Sequence, residues 1–256
     1  MKGDRRVPFL LAIATLFLIW EGVSFLLPPY LLPDVPHVFA RLWEEIRKGE
    51  FLVSLGNSFM RLGIGYPLAC FLGGILGLFA GLSKRFAHYL RSIITILQSI
   101  PPITWIPFLV ILFGFGNLPI VIVIVIAAFF PMALSVMNGT EGVERTHLEV
   151  ARVMGASKKE LLTRVYLPET LPSFITGAQV AFGNAWRSLI AAEMVGGAAS
   201  GLGWSISYSG EIADMSGVLM NIVVIGTIAS FLDHVLLEQI KRRLLHWRYV
   251  AGGERA

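Results

Sequence analysis

Thr146–Pro172 reads THLEVARVMGASKKELLTRVYLPETLP, a charged interval in a chain that is otherwise mostly apolar. Its residues carry a repeated local grammar. Thr146 is placed to cap a helix, and Glu149, three residues on, can reach back to the cap and complete a capping box. The expected helix runs through Val153 and Met154 and stops at Gly155, the residue best suited to a left-handed C-terminal position. Ser157 and Glu160 then repeat the box. The second helix carries Leu161, Leu162 and Val165 on one side. It is expected to end near Leu167, because Pro168 disfavours the helical region for the residue before it. The stretch therefore predicts a short helix, a glycine turn, a second short helix and a proline stop.

The same residues resemble a known element. Glu149-Val150-Ala151, then Gly155, then Val165-x-Leu167-Pro168 resembles the EAA loop of ABC-importer permeases. The form in that family is E-A-A, three residues, G, nine residues, I-x-L-P. Val150 stands in place of an Ala and Val165 in place of an Ile; the spacing is otherwise kept. The resemblance implies that the loop is cytoplasmic and docks into a groove on an ATP-hydrolysing subunit. The coupling residues it implies are Glu149, Ala151, Gly155, Ser157, Val165, Leu167 and Pro168.

Composition agrees with a membrane setting. The chain has 256 residues, 55% hydrophobic and only 15% charged, with a mean hydropathy of +0.70. A soluble domain of this size carries about 25% charged residues, so much of this surface faces lipid. The lone Cys70 lies in an apolar run and excludes a disulfide framework. The net charge of +4 reads as topogenic rather than as a nucleic-acid footprint, because the basic residues cluster beside apolar segments. Lys2, Arg5 and Arg6 precede an apolar run without an A-x-A site after it, so a retained membrane helix is expected there rather than a cleaved leader.

Six segments are long enough to cross a bilayer, roughly 7–27, 52–81, 92–113, 118–137, 173–195 and 216–237, since a span needs about 20 helical residues. The expected fold class is an all-α integral membrane protein. Without repeats or low-complexity tracts, residues 1–256 read as one transmembrane domain, with a core over about 50–240 and a cytoplasmic loop over 139–172. With the N-terminus inside, sixteen of the 21 basic residues fall on the inner side. Three, Arg41, Arg47 and Lys48, fall outside, and Arg61 and Arg187 fall within spans. That split predicts cytoplasmic N- and C-termini, with Lys241, Arg242, Arg243 and Arg248 as a C-terminal anchor.

Between the first two spans, Asp34 is a cap, Pro36 suits a first turn and Gly49 a stop. Phe39, Leu42, Trp43 and Ile46 then line one face of a helix that lies on the outer membrane surface or packs on its own bundle. Gly73, Gly77 and Gly81, and Gly177, Ala181 and Ala185, recur every four residues and allow close helix approach, in a dimer contact or an internal one. Pro101, Pro102 and Pro107 around Trp105 predict a kinked third span, lining a pathway or simply packing. This stretch, and Gly201-Leu202-Gly203 before Trp204, are similar to the nitrate/sulfonate/taurine branch of the same permeases.

No enzyme site is legible. The GxxxxGK[ST] signature of an ATPase is absent, as is Gly-x-Ser-x-Gly. His37, His88, His147, His234 and His246 are scattered, and Asp214 and Asp233 sit near opposite ends of the last span region, which argues against a dyad. The polar residues of the spans carry more meaning: Glu21, Arg61, Gln179, Asn184, Arg187 and Glu193 are costly in hydrocarbon and face a partner or a cavity. The candidate path or gate residues are Trp105, Trp186, Arg187, Glu193 and Arg61. For Glu193 a structural ion pair is the competing reading. Arg61 and Glu193 are expected to pair, with Arg187 as the rival partner, and exchange of the two charges is expected to restore what either single change loses.

The resemblance covers about residues 30–237. It implies the membrane-spanning permease subunit of an ATP-driven importer, working as a homodimer. Its partners would be two ATP-binding subunits, a periplasmic or lipid-anchored substrate-binding protein and membrane lipid, without nucleic acid. No cofactor is expected in this chain, since ATP and Mg would be bound by the partner ATPase. The location implied is the cell (inner) membrane. Substrates of the branch are small oxyanions such as nitrate, sulfonate or taurine, or a vitamin or its precursor. A reading from another class is a membrane scaffold or receptor subunit that moves no solute.

Overall fold

The computed structural model describes residues 6–196 and 198–233, and among these it is helical without strands. Three long helices form the centre: α3 (Glu50–Gly81), α6 (Asn117–Glu141) and α9 (Leu167–Val195). Around them lie α1 (Arg6–Ser24), α2 (Val35–Lys48), α4 (Lys84–Gln98), α5 (Ile106–Phe113), α10 (Leu202–Glu211) and α11 (Met215–Phe231), with α7 (Arg145–Val153) and α8 (Lys158–Leu161) between α6 and α9. At 1.5 Å per residue, α3, α6 and α9 are about 48, 38 and 44 Å long, enough to cross a bilayer.

α6 is buried almost all round. Ile120, Val123, Ile124, Ala128, Met132, Ala133 and Met137 are inaccessible, a pattern expected of a helix enclosed by others. The small-residue stripes answer to it. A side chain at Gly77 would place its Cβ 2.5 Å from the Ala133 carbonyl oxygen, and one at Gly177 2.6 Å from Ser135 Cβ. Gly73 and Gly81 meet α6 in the same way, and Ala181 and Ala185 are fully buried. The stripes thus serve contacts within the chain, where absent side chains let backbones approach and gain dispersion contacts.

The contacts also fix direction. Gly65 faces Ile124 and Gly81 faces Thr140, so α3 and α6 run parallel; Gly177 faces Ser135 and Gly196 faces Ile120, so α9 runs antiparallel to both. The ends of α3 and α6 and the start of α9 therefore share one end of the bundle. Arg91 donates to Asn138 and Glu141 there, at 2.8 and 2.7 Å, holding the middle of α4 to the end of α6. Asn57, Asn117 and Ser200 gather at the opposite end.

Helices stand at all six expected spans, with one correction. The third is not a kinked helix over 92–113. α4 begins at Lys84 and ends at Gln98, and after a 3-10 turn at Pro102–Trp105 the chain enters α5 at 81° to it. Pro101 and Pro102 lack amide hydrogens, and each bars its predecessor from helical geometry; Pro101 is itself extended, at φ −55° and ψ 130°. Two successive prolines break a helix where one would bend it. By length and apolarity alone α3 and α6 qualify as spans, and the bent α4–α5 unit as a third. α9 has the length, and its Gln179, Asn184, Arg187 and Glu193 lower its hydropathy. Helix α11 is described as far as Phe231.

α2 packs on its own bundle, one of its two expected readings. Asp34 accepts from the His37 amide at 2.9 Å and Gly49 is left-handed at φ +82°. Val38 is buried and Arg41 bonds Asp214 at 3.2 Å, which ties the helix to the start of α11. Its other face leaves Phe39, Trp43 and Ile46 exposed, with the Arg47 guanidinium 4.9 Å over the Trp43 ring. Glu21, at the end of α1, is a structural acceptor for the Val35 amide at 2.9 Å. Lys2, Arg5 and the cations of the tail, Lys241, Arg242, Arg243, Arg248 and Arg255, lie outside the described residues.

Candidate functional site

The charged interval folds on a core of its own. Val143, Leu148 and Leu161 are buried together, with Ala151, Ala156, Val165 and Tyr166 packed against them. Gly155 is left-handed at φ +86°. The Ala156 amide donates to the Ala151 carbonyl at 3.0 Å and the Gly155 amide to Arg152 at 2.9 Å. These are the two bonds of a Schellman motif, and they satisfy carbonyls that the end of α7 would leave orphaned. Ser157 and Glu160 form the expected capping box. The Ser157 amide and hydroxyl, with Arg164 3.9 Å away, hold the Glu160 carboxyl below the usual carboxylate range. His147 Nδ1 lies 2.6 Å from Glu169 Oε1 and ties α7 to the start of α9.

Two expectations for this interval are corrected. Thr146 does not cap α7. The helix begins at Arg145 with Glu144 at the cap, whose side chain makes no capping bond. Burial of Val143 on the loop's core draws the helix start upstream, so Thr146 falls inside the first turn. Glu149 is then exposed, and its carboxylate bonds nothing among the described residues. Nor does the second helix stop at Leu167. α8 widens into a π turn at Leu162–Tyr166 and continues straight into α9. A regular helix at Pro168 would lose a hydrogen bond and press the ring on the carbonyl four residues back; the wider turn just before it relieves that contact. The outer surface of the loop is apolar where solvent would favour charge: Val150, Val153 and Met154 are 55%, 89% and 82% exposed. Ala151 and Val165 face inward, while Ser157, Leu167 and Pro168 are exposed.

At the opposite end of the bundle, Arg61 and Glu193 form an ion pair at 2.5 Å, 3% and 1% exposed. Every neighbour matches in polarity. Glu193 accepts from Ser58 Oγ at 2.8 Å and from the Gly203 amide at 2.9 Å. Arg61 donates to the Ser200 carbonyl and to Asn117 Oδ1, both at 2.8 Å. Ser58 Oγ accepts from the Leu202 amide at 2.9 Å. The network thus clamps the Ser200–Gly203 turn to α3, and Gly201 is required in it. Its φ is +142°, and a Cβ there would sit 2.6 Å from Glu193 Cδ. Beside it, Glu193, Trp204, Tyr208 and Glu211 border a cleft of about 230 Å³.

The remaining path candidates are divided by the fold. Trp186 is buried on α9 with Phe59 against it, ring centroids 6.2 Å apart. Trp105 is half-buried on the turn before α5, which packs on α6 and α9. Arg187 is the exception, exposed on α9 and, among the described residues, bonded only to Asn184 Oδ1 at 3.2 Å; it is not the partner of Glu193. Among the described residues no three His, Cys, Asp or Glu side chains gather into a metal site.

Comparison with known proteins adds three findings. Residues 72–245 match the family described as binding-protein-dependent transport system inner membrane component. Over 97% of its length the chain is 30% identical to a Bacillus subtilis protein described as an aliphatic sulfonates transport permease, covering 88% of it. It is 32% identical to the taurine transport system permease protein of Escherichia coli, over 92% of this chain and 87% of that one. A nitrate import permease of Synechococcus elongatus is 28% identical over 90% and 87%. Among solved structures, a chain of the inward-facing MetNI methionine ABC transporter superposes with a TM-score of 0.63 at 21% identity, covering 75% of this chain and 95% of that one.

Proposed function

The chain belongs to the binding-protein-dependent transport system inner membrane components, in their nitrate/sulfonate/taurine importer branch, and from that premise we propose that it forms the membrane path of an ATP-driven importer and couples to separate ATPase subunits through residues 146–172. The chain acts as one transmembrane domain over 1–256, with both termini cytoplasmic. It pairs with a second copy, receives solute from a binding protein on the outer side, and leaves ATP and Mg to the ATPase subunits. The solute is a small oxyanion such as nitrate, a sulfonate or taurine.

One observation carries the coupling role. Val153 and Met154 stand 89% and 82% exposed beside a Gly155 turn held by two backbone bonds and a capping box. A rigid knob with an apolar tip fits a partner's groove, because its shape is set before binding and little ordering entropy is lost. Glu149 stands beside it, exposed and without a bonded partner among the described residues. Motion of the ATPase pair would then move the loop, and with it α9, since the π turn joins them without a break. The membrane helices would switch between inward- and outward-facing states as rigid bodies.

The test is a Val153→Glu variant, co-expressed with the ATPase subunits. It should insert normally and co-purify with much less ATPase subunit than wild type. Solute-loaded binding protein should stimulate ATP hydrolysis weakly or not at all. Wild-type co-purification and stimulation would reject the loop as the coupling element.

A further inference from the structure

We propose that Arg187, held by Asn184, is the group that contacts an oxyanion inside the membrane path; the proposal rests on the transport reading above and adds the chemistry of the contact. The two arginines of the spans have opposite surroundings. Arg61 is 3% exposed and meets a carboxylate and two further acceptors. Arg187 is exposed, and among the described residues no carboxylate lies within 4.0 Å of it. One of its five N–H donors reaches Asn184 Oδ1.

Position makes this arrangement informative. Arg187 lies eight residues before Val195 and twenty after Leu167, about 12 and 30 Å along the helix axis. Its guanidinium is drawn toward Asn184, toward the middle of the span and away from the nearer helix end. It therefore does not snorkel to that end, the usual escape for an arginine in a membrane. Asn184 is itself fixed, donating from Nδ2 to the Val180 carbonyl at 3.1 Å. The guanidinium lies over Gly183, where a Cβ would meet both Nη atoms at an ordinary contact distance of 3.6 Å. Thr176, Val180 and Arg187 are exposed along the same stripe of α9, with Asn184 half-exposed between them.

A cation that faces out of the bundle at this depth cannot rest against lipid tails without a large penalty, so the stripe faces a water-filled path or a partner group. The fork of a guanidinium matches two oxygens of one anion and is less strongly hydrated than an ammonium, which suits transient capture. A nitrate or a sulfonate presents such an oxygen pair. Arg61 cannot serve, because it is buried and its charge is already paired with Glu193.

The experiment uses the full complex, permease with ATPase subunits and binding protein, in proteoliposomes with labelled nitrate and labelled taurine as probes. Uptake is expressed per ATP hydrolysed. Arg187→Gln should lower that ratio about tenfold or more, the scale of one charge-assisted hydrogen-bond pair, and Arg187→Lys should fall between Gln and wild type. An uptake ratio for Arg187→Gln within about twofold of wild type for each transported probe would overturn the proposal. So would loss of the second permease copy from the purified variant, which would make Arg187 an assembly contact. Wild-type uptake of neither anion, with ATP hydrolysis still stimulated by the binding protein, would overturn the oxyanion assignment and leave the coupling loop standing. Absence of ATPase docking in wild type would instead reject the transport reading itself.

Discussion

Exchange of Arg61 and Glu193 separates a bare charge pair from a polar network. A pair joined by charge alone is rescued when both signs are reversed. The structure predicts no rescue. Around position 61 the neighbours are acceptors, the Ser200 carbonyl and Asn117 Oδ1. Around position 193 they are donors, the Gly203 amide and the Ser58 hydroxyl. In Arg61→Glu with Glu193→Arg, a carboxylate faces the carbonyl and a guanidinium faces the amide hydrogen. The Coulomb attraction between the two survives, and the bonds that offset their burial do not. Arg61→Met alone leaves Glu193 buried without its cation, a loss of about 3–5 kcal/mol by analogy with buried pairs elsewhere. At about 2–4 °C per kcal/mol for a chain of this size, the unfolding midpoint should fall by about 6–20 °C. The exchanged double variant should fall at least as far. The assay is thermal unfolding of the detergent-purified permease, read by intrinsic tryptophan fluorescence. A midpoint for the exchanged variant within about 3 °C of wild type would refute the network argument, because Ser200, Gly203 and Asn117 would then have no preference for sign.

Four further outcomes follow from the same geometry. Gly155→Val forces a β-branched side chain onto a φ of +86°, a local cost of roughly 1–2 kcal/mol; the spans should insert normally while co-purified ATPase subunit drops, and unchanged co-purification counts against the coupling role. Glu149→Gln should leave thermal stability unchanged, since Glu149 caps nothing, and should lower ATPase stimulation; silence in both assays would deny its charge a partner. Gly77→Leu drives a side chain into the Ala133 carbonyl 2.5 Å from the added Cβ and should abolish folded permease in the membrane fraction, whereas a stable variant would mean that α3 and α6 can separate. The Glu160 carboxyl is held low by the folded capping box, so its contribution is present above the unfolded carboxylate range and is lost as pH falls through the lower, folded value; hydrogen-exchange protection of the Ser157 amide should decline only below that range, and protection unchanged into strong acid would contradict it.

Local chemistry was readable from the sequence. Asp34, Gly49, Gly155 and the Ser157–Glu160 box act within four residues, so their hydrogen bonds are the same in any fold that contains the helix. Apolar length placed the helical segments, the third excepted, for a similar reason, since a bilayer sets a minimum length whatever the packing. The spacing of Glu149, Gly155 and Leu167-Pro168 carried the family resemblance. The misreadings arose where a distant contact outweighed a local preference. Thr146 lost its cap because burial of Val143 against Leu148 and Leu161 set the helix start. Pro168 did not end a helix, because a π turn absorbed its ring and kept the loop joined to α9. Only the tertiary structure assigned the glycine stripes to contacts within the chain, since small residues permit an approach without naming the partner. It also distinguished Arg61 from Arg187. The two are alike in sequence, each an arginine within a helix of apolar character. Packing of α3 against α6 and α9 delivers a carboxylate and two further acceptors to the first, while the second, exposed on α9, is left with Asn184 alone among the described residues.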